Sequence, residues 1–160
     1  MPLSHADDIT FLRRSLAVAA EARAAGNHPF GAVLVDDKGH VLIEAGNEYL
    51  HQKGPGHAES IVAREAAMLY EPEVLAQCTL YSAFEPCAMC AGTIYWAGIG
   101  AVVFGMTERR LAEMTGANPE NLTMDLPCRV VFEAGQRRTE LRGPVPELEA
   151  EIAASHEGFW

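Results

Sequence analysis

Residues 77–97 read QCTLYSAFEPCAMCAGTIYWA, and the order of features in this stretch decides the fold. Gln77 to about Ser82 is a short, largely apolar run with strand-forming side chains. Pro86 then stands where a helix can begin, because the N–H it lacks would have no intrahelical partner in the first turn. Cys87 to about Ala97 reads as that helix, and Cys87 and Cys90, three residues apart at its start, share a face. A strand therefore delivers two cysteines to a helix N-terminus.

The chain falls into place on both sides of this unit. Upstream, Gly54-Pro55-Gly56 breaks the chain just before a helix from His57 to about Tyr70. Before that, Phe30–Val35, the turn Asp36-Asp37-Lys38-Gly39 and His40–Glu44 form a hairpin. Asp7 to Ala25 carries Ile9, Leu12, Leu16, Ala19 and Ala20 at helical spacing, with Gly26-Asn27 as a stop. Downstream, a fourth strand is expected at Ala101–Gly105, a short helix near Glu108–Thr115, a fifth strand at Arg129–Glu133 and a last helix at Pro146–Ala154. The long connection between strands four and five permits a crossover, so the two are expected to run parallel. The predicted class is α/β, a three-layer α-β-α sandwich around one five-stranded mixed sheet. No linker, low-complexity run or repeat divides it, so one domain is expected over residues 1–160.

Twelve Lys and Arg against 22 Asp and Glu give a formal charge of −10. Gripping a polyanion calls for a basic patch, and Arg13-Arg14, Arg109-Arg110 and Arg137-Arg138 are isolated pairs that read as solvated surface. A small neutral substrate fits this balance better than nucleic acid. The N-terminus lacks a basic segment leading into an apolar one, and no apolar run approaches the roughly 20 residues that span a bilayer, so a cytoplasmic protein without membrane association is expected.

The chemistry rests on His57-Ala58-Glu59 taken with Pro86-Cys87-Ala88-Met89-Cys90. If the two helix N-termini converge, His57 joins Cys87 and Cys90 as a third ligand, and the partial positive charge of a helix start favours the thiolates that bind metal. Three protein ligands leave one tetrahedral position open for water, as in a catalytic zinc site. Glu59 lies too near His57 in sequence to sit beside it on an ideal helix, so it must use the irregular helix start to reach that water and shuttle its proton. Cys78 and Cys128 read as buried small apolar residues, with a four-cysteine site as the weaker reading.

The motif pair resembles that of the cytidine deaminase superfamily, more narrowly its guanine deaminase and tRNA adenosine deaminase branch. The resemblance runs from about Phe11 to the fifth strand and includes Pro29-Phe30-Gly31-Ala32-Val33, Gly46-Asn47 and Glu85-Pro86-Cys87-Ala88-Met89-Cys90-Ala91-Gly92. It implies one zinc ion per chain and a homodimer built on the helices that carry the ligands, with Ile94, Tyr95 and Trp96 suited either to that interface or to the core. It further implies substrate contacts from Asn47, Phe30 and Ala58. Asn47 also reads as a turn asparagine, and Phe30 as core. Glu85 reads either as a second carboxylate of the pocket or as a residue at its edge. Ser82-Ala83-Phe84 departs from the smaller, more polar residues usual in this branch, so Phe84 is expected to narrow the pocket. The tail from about residue 145 to 160, with His156, Glu157, Phe159 and Trp160, closes an active site in the guanine deaminase branch, that of its own or of the partner subunit. Docking far from the site is the other reading.

Three functions follow. A hydrolytic deaminase of free bases or related small heterocycles is favoured, with guanine, cytosine, isocytosine and triazines open. A tRNA adenosine deaminase fits the resemblance but sits poorly with the −10 charge. A silent binding module with structural zinc would have no use for Glu59.

Overall fold

The computed structural model describes residues 3–160. Helix α1 (His5–Ala24) starts at a capping box in which Ser4 Oγ accepts from the Asp7 N–H and the Asp7 side chain accepts from the Ser4 N–H. Strands β1 (Gly31–Val35) and β2 (Val41–Gly46) form the expected hairpin. Helices α2 (Tyr49–Gln52), α3 (Ala58–Leu69) and α4 (Pro72–Leu75) lead to β3 (Thr79–Phe84). Then come α5 (Ala88–Ala97), β4 (Ala101–Met106), α6 (Glu108–Thr115), α7 (Cys128–Glu133) and β5 (Glu140–Arg142). A 3-10 turn at Pro146–Leu148 enters α8 (Glu149–Ala154).

The sheet order is β2-β1-β3-β4-β5, antiparallel on the β1 side and parallel for β3–β4 and β4–β5. β1, β3 and β4 are buried on both faces, which explains why they read as continuous apolar runs and not as alternating ones. On one face Ala32, Leu34, Leu80 and Val102 pack with Val62, Ala66 and Ile94 of α3 and α5. On the other, Val33, Val35 and Val103 pack with Leu12 and Val18 of α1 and Ile152 of α8. This is the α-β-α layering that the sequence implies.

One expected element is wrong. Residues 129–133 are not a strand but belong to α7, and the fifth strand lies at Glu140–Arg142. Val130, Val131 and Phe132 have strand propensity, yet burial follows the helical step: Cys128 and Phe132 are buried, and Val130 between them is exposed. The true edge strand has only Leu141 to offer the core. It is held instead by Arg142, whose guanidinium forks onto the buried Asp8 carboxylate at 2.9 Å on both oxygens, while the Tyr81 hydroxyl donates to the same carboxylate. The parallel relation of strands four and five holds at the shifted position.

Gly105 in β4 marks where α8 comes closest to the sheet: a Cβ there would collide with Ile152 and the Ala83 carbonyl. That close approach brings the C-terminal tail up behind the ends of β1 and β3.

Candidate metal and substrate site

α3 and α5 pack side by side with their N-termini at the same end. His57 is the N-cap of α3 and Cys87 the N-cap of α5; both have extended backbones, and neither side chain caps its helix. Freed from capping, the two side chains turn toward each other. Cys87 Sγ and Cys90 Sγ stand 3.4 and 3.5 Å from His57 Nδ1. For tetrahedral zinc, with Zn–S about 2.3 Å and Zn–N about 2.0–2.1 Å, an S···N separation of about 3.6 Å is required. The three donors fit that ion. They form the one cluster of this kind among the described residues, and Cys78 and Cys128 lie outside it, buried and with thiol pKa values pushed up by burial.

The electrostatics favour the thiolate at Cys87, while the hydrogen bond to Cys87 and burial push the Cys90 thiol up. A hydrogen bond from the Cys90 thiol, and then the His57 ring, hold the Cys87 thiol well below its ordinary range, and burial works against them. Burial also pulls the His57 pKa down, but its contact with Cys87 and the nearby carboxylates of Glu59 and Glu108 outweigh that, and the net direction is up.

Glu59 reaches the cluster as the sequence requires, from the second residue of α3. It is buried, with Oε1 accepting from Ser82 Oγ at 2.6 Å and Oε2 3.6 Å from Cys90 Sγ. Burial raises its pKa, which favours a group that takes up a proton. Ser82, noted in the sequence only as a departure, is the residue that orients Glu59.

Cluster and carboxylate open into a cavity of about 340 Å³. Phe30 and Phe84 form an aromatic wall, their rings 5.5 Å apart and edge to face. Asn47 lines it too; its Oδ1 accepts from the backbone of His28 and Tyr49, a turn role, while its amide nitrogen has no partner among the described residues and is free to donate. Ala58 is fully buried in the α3 core and does not line the cavity. Glu85 does line it, but its carboxylate is engaged: Oε1 accepts from the Glu108 N–H and Oε2 from the Cys128 N–H, both at 2.9 Å. It anchors the starts of α6 and α7. Glu85→Gln sets an amide N–H against a backbone N–H, and it is expected to cost about 2–3 kcal/mol of unfolding free energy at unchanged denaturant slope. A loss under 0.5 kcal/mol in urea titration would contradict the anchor.

The remaining wall was not legible. Glu120, Asn121, Leu122, Thr123 and Met124, from the segment between α6 and α7, line the cavity together with His28, Glu108 and Leu111. Glu120 Oε1 accepts from His28 Nε2 at 2.9 Å, and Arg109 pairs with Asp125 on the same segment. No Lys or Arg lines the cavity.

The tail docks behind this wall. His156 is buried, its ring 4.9 Å from Phe30 and 4.6 Å from Phe84. Its Nε2 donates to the Pro29 carbonyl, and Nδ1 accepts from Trp160 Nε1 at 2.8 Å. Phe159 and Trp160 press edge-on against the His28 ring, and Arg23 fastens the Glu157 carbonyl. None of these four tail residues lines the cavity of its own chain. Burial holds the His156 pKa down at about 4, so the ring is neutral in the fold. Its contribution is present above pH 6.5 and lost as pH falls toward 4, an expected loss of up to about 3 kcal/mol that His156→Gln should remove from the pH–stability profile. An unchanged acid slope in that variant would overturn the assignment.

Known proteins bear on these geometries. The chain is 36% identical over 154 residues to the probable cytosine deaminase of Schizosaccharomyces pombe, covering 96% of this chain and 92% of that one. It is 40% identical over 102 residues to the tRNA-specific adenosine deaminase of Haemophilus influenzae, covering 63% of this chain and 59% of the relative. Among solved structures, the guanine deaminase of Bacillus subtilis superposes with a TM-score of 0.57 at 28% identity, over 99% of this chain and 98% of that one. Residues 5–106 match the cytidine and deoxycytidylate deaminase zinc-binding region, and the chain belongs to that family of zinc-type deaminases, hydrolases that act on C–N bonds.

Proposed function

We propose that the protein hydrolytically deaminates a free nucleobase or related small amino-heterocycle, using zinc held by His57, Cys87 and Cys90. The observation that carries this reading is Glu59: a buried carboxylate beside the ligand cluster, oriented by Ser82 and facing a cavity that no cation lines. Zinc at the three donors would supply a Lewis acid able to activate water near neutral pH. Glu59 takes one proton of the attacking water and passes it to the ring nitrogen, then carries the second, from the new hydroxyl, to the amino group, so that the C–N bond breaks with release of ammonia and the carbon is left as a carbonyl. Phe30 and Phe84 hold the ring face, and the Asn47 amide nitrogen donates to it. At about 340 Å³ the cavity sits at the low end of small-molecule sites, roughly 300–1,000 Å³. Arg13, Arg14, Arg109 and Arg110 are all paired with carboxylates, and no Lys or Arg lines the cavity, which favours a small substrate over RNA.

The tail supports the site by holding Phe30, Phe84 and His28 in place. Removal of residues 156–160 is expected to raise KM by tenfold or more, and unchanged steady-state kinetics would end this role. Trp96, 85% exposed near the C-terminal end of α5, supports the homodimer, and a cytoplasmic protein accords with four unpaired cysteines. No helix among the described residues is long and apolar enough to cross a membrane.

The test is ammonia release by the zinc-loaded protein from free bases, their nucleosides and aminotriazines. Release from one ring class establishes the reading. Silence across the panel, together with salt-dependent tRNA binding and inosine formation, would replace it with the tRNA reaction.

A further inference from the structure

Glu108 is a carboxylate for which the reaction, as derived above, has no use. It is the first residue of α6, a place where an acid ordinarily faces solvent and answers the helix dipole. Here it is only 6% exposed. Thr107 already caps the helix, and Glu85 already takes the Glu108 backbone N–H. The side chain of Glu108 makes no hydrogen bond to another described residue, and it is not sealed in the core: the residue lines the cavity that Glu59 and His57 also line. It lies outside the metal-ligand cluster.

A buried carboxyl without a partner is costly, and such groups persist where something outside the fold completes them. Burial, and then the negative groups at Cys87, Glu59 and Glu85, push its pKa up to about 8. The cavity offers no Lys or Arg to offset this, and His28 is engaged by Glu120. What is missing is a donor, and a substrate seated in the cavity can supply one.

We propose that Glu108 is a specificity-determining residue whose carboxyl group accepts hydrogen bonds from ring N–H or amino groups of the substrate. It thereby selects amino-heterocycles that carry a further N–H donor besides the amino group being released. The proposal rests on the deaminase reading and names the substrate class within it. The carbonyl oxygen of the carboxyl group accepts in either protonation state, and an analogue lacking the donor is rejected because that acceptor is then left buried and unpaired.

The experiment uses ring pairs that differ in donors: melamine against 2-amino-1,3,5-triazine, and isocytosine against 2-aminopyrimidine. Zinc-loaded wild type, Glu108→Gln and Glu108→Met are compared for kcat/KM, with bound zinc measured in each as the check on folding. The wild type should favour the donor-rich member by about tenfold or more. Glu108→Met should bring the ratio to within about threefold, and Glu108→Gln should lower it at least fivefold. In parallel, calorimetry measures binding of the same rings to Glu59→Ala protein with and without Glu108→Met. If no ring releases ammonia yet binding keeps the donor preference and loses it with Glu108→Met, the deaminase reading fails and the Glu108 assignment stands. A donor preference that both variants retain, or no preference in either assay, overturns the assignment.

Discussion

Glu59→Gln should lower ammonia release by at least a thousandfold while leaving bound zinc unchanged. The substitution keeps the shape and leaves a carbonyl oxygen to accept from Ser82 Oγ, so the geometry at 2.6 Å is preserved in kind. What it removes is the site that takes up a proton, and a positioned acid–base group contributes typically 10²–10⁴-fold. The same change relieves a buried carboxylate whose ionised form is disfavoured by burial. The variant should therefore melt at the wild-type temperature or above it, since a group placed for reaction is often a burden on folding. Zinc analysis, a thermal melt and ammonia release on one preparation decide the matter. A rate near wild type with zinc bound would remove Glu59 from the reaction.

The second large effect concerns the ligand set. His57→Ala, Cys87→Ala and Cys90→Ala should each reduce zinc from about one per chain to near zero and abolish turnover. Zinc that binds the folded cluster and not the open chain would stabilise it by about 4 kcal/mol at a free concentration 1,000 times its dissociation constant. For a chain of this length that corresponds to a fall of roughly 10 °C in melting temperature. Chelation should produce the same fall in the wild type and no further fall in the variants. A variant that keeps stoichiometric zinc would exclude that residue from the site.

How much of this was legible in the sequence differs from residue to residue, for physical reasons. The ligand cluster was readable because it is built from local features. A break or a proline sets each helix start, and the N-cap residue projects from it, so His57 and Cys87 could be placed before their separation in space was known. Asn47 and Phe30 left two readings each. The structure gives Asn47 both the turn and a free amide nitrogen, and sets Phe30 at the cavity wall.

The far wall was not readable. Residues 120–124 have no periodicity, and what brings them to the site is a pair of long-range contacts, His28–Glu120 and Arg109–Asp125. Glu108 marked only the start of a short helix, because nothing local distinguishes a buried glutamate from an exposed one. The α7 error has a related cause: three strand-forming residues in a row outweighed a helical burial pattern that only the tertiary fold reveals.

The two oxygens of Glu85 have a consequence for how such a protein can change over generations. One oxygen fixes the start of α6 and the other the start of α7, so the chain between them leaves from and returns to points pinned on the same side chain. With its two ends held this way, the segment at residues 117–127 is expected to tolerate changes of length and sequence with His57, Cys87 and Cys90 kept in place. Selection, or a designer recombining loops from relatives, can recast what enters the cavity while the chemistry stays as it is.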